Sequence, residues 1–123
     1  MMNNYYNKEI TGKLFNEING QKPLYKLTNK EETHYGFQYK DGLNEDRLEF
    51  NTKEYCLGGL YFANIDNIYK FISINKYIRK VTVPDDARVC IFEDKIKANK
   101  IIVGPRCKLS RRIFNVIFRQ IIR

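Results

Sequence analysis

The chain predicts an α+β fold: a small mixed or antiparallel sheet, one or two helices packed on it, and a C-terminal amphipathic helix. Three observations carry that reading. Short aromatic or β-branched runs are bounded by Gly, Pro, Asn and Asp, as strands are. Two other stretches space their apolar residues at helical intervals. With 123 residues, 43% of them hydrophobic and 14% aromatic, there is material for one core of ordinary size and no argument for a second.

In order, residues 8–19 place Ile10, Leu14, Phe15 and Ile18 on one helical face, closed by Asn19-Gly20. Leu24-Tyr25-Lys26-Leu27-Thr28 alternates like a strand, and His34 to Tyr39 reads as a second, aromatic extended segment. From Leu43 to Glu54 charge is dense and periodicity poor, which predicts a loop. Gly58-Gly59 then permits a bend before a strand at 60–62, and Asn64 can cap a short helix carrying Ile65, Ile68, Tyr69 and Ile72. Strands follow at 77–83, 89–92 and 97–103, with turns at Pro84-Asp85-Asp86 and Gly104-Pro105. Residues 109–123 form a helix whose apolar side covers more than half its circumference. Three segments result: a helical 1–22, an α+β module over 23–104, and a basic helical tail over 105–123.

The net charge of +8 is unevenly placed. Nine of the 22 basic residues and none of the 14 acidic ones lie from Lys95 onward, so residues 1–94 hold 13 basic against 14 acidic groups. A cationic tail bearing Arg106, Lys108, Arg111, Arg112, Arg119 and Arg123 suits an acidic partner, either nucleic acid or an anionic membrane surface. Cys56, Cys90 and Cys107 are odd in number and lack any C-x-x-C spacing, which predicts reduced thiols in an intracellular compartment rather than a disulfide framework or a zinc site. The N-terminus has no apolar signal region, and no apolar run is long enough to span a bilayer. His34 is the single imidazole, too little for a dyad or a His-based metal site, and Gly58-Gly59 lacks the lysine and hydroxyl of a phosphate-binding loop.

Several motifs in order carry a family resemblance: Leu24-Tyr25-Lys26-Leu27, His34 through Asn44, Cys56 with Gly58-Gly59-Leu60-Tyr61-Phe62, Tyr77 through Ala87, and Lys97-Ala98-Asn99-Lys100-Ile101-Ile102. Over roughly residues 23–104 the chain resembles the N-terminal module of a paralogous family in mimivirus-type giant viruses, in most members of which ankyrin repeats follow. The resemblance implies a viral protein of the host cytoplasm or the virion. The basic tail from Pro105 stands where repeats are expected, as in a stand-alone or truncated paralogue. Repeat stacks of that type bind proteins over extended surfaces, so the expected role is a non-enzymatic interaction module with a protein partner. Tyr35, Phe37, Tyr39 and Tyr61 supply its binding surface, and no cofactor or metal is expected.

A second resemblance sets the alternative. Gly59-Leu60-Tyr61-Phe62-Ala63 with Tyr69 is similar to the strand and helix of ADP-ribosyltransferases of the poly-ADP-ribose polymerase type. That likeness implies NAD as cofactor, with Tyr61 and Tyr69 as the nicotinamide-site aromatics and Glu93 as the late-strand carboxylate that stabilises an oxocarbenium-like transition state. The family's early His-Gly-Ser/Thr has no counterpart near Tyr25-Lys26-Leu27-Thr28.

Overall fold

The structure, a computed structural model, describes residues 2–72 and 75–121, with side chains through residue 116. Eleven strands and two α-helices follow along the described chain: β1 (Glu9–Thr11), α1 (Gly12–Asn19), β2 (Leu24–Thr28), β3 (Thr33–His34), β4 (Phe37–Gln38), β5 (Gly42–Glu45), β6 (Leu60–Asn64), β7 (Tyr77–Thr82), β8 (Arg88–Ile91), β9 (Ile96–Ala98), β10 (Lys100–Val103), β11 (Cys107–Lys108) and α2 (Arg111–Ile121). Single 3-10 turns occupy Met2–Tyr5 and Ile68–Phe71.

The expected α+β class is overturned: this is a predominantly antiparallel β fold. Nine strands form one sheet in the order β1-β8-β9-β6-β2-β7-β10-β5, with β11 also on β7, and β3 and β4 make a separate hairpin. The expected helices contract for local reasons. The first turn of the predicted 8–19 helix is instead β1, pairing Glu9, Ile10 and Thr11 with Cys90, Val89 and Arg88. The Thr11 hydroxyl then accepts the Leu14 N–H and starts α1 four residues late. After β6, Asn64 Oδ1 accepts the Asp66 N–H, but only one 3-10 turn follows. The 43–54 segment, read as loop, begins with β5, which pairs with β10 from Lys100↔Glu45 to Val103↔Gly42. The 34–39 segment is a hairpin rather than one extended run.

The sheet covers itself. Strand residues 96–103 are interrupted only at Asn99: β9 lies between β8 and β6, whereas β10 lies between β7 and β5. The path from β9 through β6, β2 and β7 therefore returns to β10, and the rolled sheet encloses a core of Leu24, Leu60, Phe62, Val81, Val89, Ile91, Ile96, Ile101 and Val103, with Phe15 of α1 closing one side. Phe15 meets Phe62 edge-on at 6.3 Å between ring centroids. Along β7 the partner edge carries a bulge: from Val103↔Val81 to Cys107↔Ile78 it takes four residue steps against three. Outside the roll, Leu27, Ala63, Ile65, Ile68 and Ile78 form a second cluster on which Leu109 and Ile113 pack, docking the start of α2. Ser110 Oγ accepts the Ile113 N–H at its N-terminus.

Candidate functional site

The ladder between β2 and β6 is short. Pairing runs Leu24↔Asn64 and Tyr25↔Ala63 and then stops, while β2 stays paired with β7 through Thr28 and β6 with β9 back to Leu60. The two strands splay, and a cavity of about 400 Å³ opens beside the split. Tyr25, Lys26 and Leu27 line it from β2, and Leu60 through Ala63 from β6. The β3–β4 hairpin with Tyr39, the 46–57 loop, Ile68 and Phe71 of the 3-10 turn, Asn75 and Lys95 complete the wall.

The hairpin explains the aromatic character of that wall. Tyr35 and Gly36 both take positive φ, 52° and 81°, the combination a two-residue hairpin turn requires. Tyr35 is thereby held at the tip, 87% exposed. The returning strand lays Phe37 against Tyr39, with ring centroids 4.9 Å apart, and His34 packs on Tyr39 at 5.9 Å. Tyr39 is buried, and burial with the nearby Asp46 charge pushes its hydroxyl well above the usual phenol range. All four aromatics expected to form a binding surface, Tyr35, Phe37, Tyr39 and Tyr61, line this one cavity.

Lys26 is the polar group sequence reasoning passed over. It lies mid-strand at the cavity wall and is only 9% exposed. Its Nζ donates to the Tyr61 carbonyl at 2.7 Å across the split and lies 4.7 Å from the Tyr39 ring centroid. No carboxylate among the described residues pairs with it. Burial lowers its pKa to about 7. His34, whose Nε2 accepts the Asn29 N–H at 3.2 Å, is lowered to about 4 by burial and then by the Lys26 charge, with Glu32 opposing. Asp46 also borders the cavity, with Oδ2 accepting the Gly59 N–H and Oδ1 the Leu48 N–H. At the rim Lys95 is bound to Glu54 and lies over the Tyr55 ring at 4.2 Å.

A second buried amine builds the loop side. Lys97, fully buried on β9, donates to the carbonyls of Lys53 at 2.9 Å and Cys56 at 3.2 Å, and the Tyr61 hydroxyl donates to the same Cys56 carbonyl at 3.0 Å. Below the hairpin, Arg79 and Glu32 make a buried ion pair at 2.8 Å; Thr28 donates to the same carboxylate, and Arg79 reaches on to Asp41.

Other expected site residues are dispersed. Of the nicotinamide-type set only Tyr61 lines the cavity. Tyr69 is 43% exposed on the 3-10 turn, and Glu93 is exposed in the turn between β8 and β9. In the basic tail, Arg106 stacks over Tyr77 at 4.8 Å and reaches Glu32 at 3.5 Å. Lys108, Arg111 and Arg112 are exposed, while the Arg119 side chain and Arg123 lie outside the described residues. Among the described residues no group of three or more His, Cys, Asp or Glu could hold a metal ion, and no helix is long and apolar enough to cross a membrane.

No family model and no solved structure matches the chain. Curated relatives from Acanthamoeba polyphaga mimivirus do. It is 38% identical over 96 residues to R896 and 36% identical over 112 residues to R868, both named as ankyrin repeat proteins. Those matches cover 72% and 85% of this chain but 29% and 51% of the relatives, so the chain spans about half or less of their length. The uncharacterized protein R869 is 40% identical over 96 residues, which cover 72% of this chain and 70% of R869. The identities and the shares covered agree: this chain belongs to the mimivirus family of ankyrin-associated proteins, and corresponds to part of its longer members.

Proposed function

We propose that the chain is a non-enzymatic protein-interaction module whose cavity receives an apolar residue of a partner polypeptide. The observation that carries this reading is the splay of β2 from β6, walled by aromatics of the hairpin. Its volume of about 400 Å³ lies at the small end of ligand sites, enough for one or two side chains. Relatives named as ankyrin repeat proteins support a binding context, because ankyrin stacks recognise other proteins over extended surfaces. Beside them, a compact module with one aromatic cavity would add a contact of a different kind, anchored at a point.

The test is an NMR titration of the labelled chain with capped tripeptides acetyl-Ala-Ala-X-amide, X being Phe, Tyr, Leu or Ile. Saturable shifts confined to the amides of 25–27, 34–39 and 59–63 are expected. Shifts spread over the surface, or none with any of the four, would remove the proposal.

A further inference from the structure

Resting on that reading, we infer that the residue received is a polypeptide C-terminus, whose free carboxylate pairs with the Lys26 amine in the β2–β6 split. The amine has three donors, and the protein occupies one of them, on the Tyr61 carbonyl at 2.7 Å. It is more than nine-tenths buried, lines the cavity and faces no carboxylate ion partner among the described residues. A buried ammonium in that position is costly unless an anion joins it. Asp46 does not fill the role: it makes no ion pair with Lys26, and its oxygens accept the Gly59 and Leu48 N–H groups.

The size of the cavity, about 400 Å³, favours a chain end over an internal acidic residue. An internal residue would have to bring peptide groups on both sides of itself past the apolar side chains of Leu27, Phe37, Leu60, Phe62 and Phe71, which offer them no hydrogen-bond partners. A terminal residue enters with a single peptide group and presents an apolar side chain and an anion together. The β2 and β6 backbones, no longer paired with each other beyond Tyr25↔Ala63, flank its path. Capture of a chain end beside a strand edge is an established form of recognition. The lowered Lys26 pKa agrees with the geometry, since an arriving carboxylate would restore the proton that burial disfavours.

The experiment compares acetyl-Ala-Ala-X as free acid with the corresponding amide, X being Phe, Tyr, Leu or Ile, on the full chain at pH 7. The free acid of at least one peptide should bind about 10- to 100-fold more tightly than its amide, the range of one charge-assisted hydrogen bond. Lys26→Met should erase that difference. If acid and amide bind alike to the unaltered chain, the terminal-carboxylate inference is overturned and the interaction cavity stands. If neither binds, both fall. The acid–amide comparison on the unaltered chain decides the matter even where the variant folds poorly.

Discussion

Gly59 and Lys97 occupy space that only a glycine can share: a Cβ on Gly59 would overlap Cγ of Lys97 and lie 2.5 Å from its Cδ. The backbone there has φ of +132°, a region other residues rarely adopt. The glycine lets the lysine stem run beneath β6 to the Lys53 and Cys56 carbonyls, so the loop walling the cavity depends on it. Gly59→Ala should therefore lower stability by roughly 2–4 kcal/mol, combining an unfavourable φ with overpacking. Urea unfolding of the two proteins measures it, and a change below half a kcal/mol would contradict the packing described.

The buried Arg79–Glu32 pair ties the hairpin to β7. Removing Glu32 leaves the guanidinium, 4% exposed, with only the largely exposed Asp41 as ion partner. Glu32→Leu should cost about 2–4 kcal/mol, and Glu32→Leu combined with Arg79→Met distinctly less, because the poorly compensated buried charge has gone. Equal losses in the single and double variants would refute the coupling.

How much of this was legible in the residues depends on what each element buries. Strands β2 and β7 were legible because short runs of aliphatic, aromatic and β-branched residues lie between turn formers, and the tail helix because its apolar arc is continuous. Strand β5 was not, since its buried residue is Asn44, whose side chain bonds the Lys40 N–H and the Lys40 and Gly42 carbonyls. A pattern that counts hydrophobic residues is blind to a buried amide. The hairpin was missed because Tyr35 takes a positive φ usually reserved for Gly, Asn or Asp. The helical layer was overestimated because Ile10 falls in phase with Leu14 although it belongs to β1, where pairing with β8 outweighs local periodicity. The four aromatics named from the chain alone line one cavity. Lys26 had one signal, a cation inside an apolar strand pattern, and what makes it distinctive is the absence of a carboxylate brought near by the fold.

The Lys26 amine makes stability depend on pH in a defined direction. Its folded pKa is about 7 against 10.5 for the free group, so between these values the unfolded chain carries the extra proton and stability rises with pH. The slope approaches about 1.4 kcal/mol per unit at most. Lys97, also lowered by burial, adds to the rise, and the raised tyrosines Tyr25, Tyr39 and Tyr61 act only at higher pH. Thermal melts from pH 7 to 9.5 should show a shallower rise in Lys26→Met than in the unaltered chain; parallel curves would contradict the buried amine.

His34 works in the acid range. Its pKa is lowered to about 4, so the folded chain refuses a proton that the unfolded chain accepts near 6.5, and stability falls as pH drops between those values. With Nε2 accepting from Asn29, the neutral ring carries its proton on Nδ1. The single imidazole resonance in NMR should stay in its neutral position from pH 8 down to 5; a midpoint near 6.5 would show the ring to be free of the hairpin.

Isotope-filtered NOE spectroscopy on the labelled chain with a bound, unlabelled apolar tripeptide tests the central claim most directly. Contacts from the peptide's apolar side chain to the rings of Phe37 and Tyr39 and to Leu60 are predicted, placing it between β2 and β6. Contacts confined to the α2 surface, with those rings unaffected, would contradict the account.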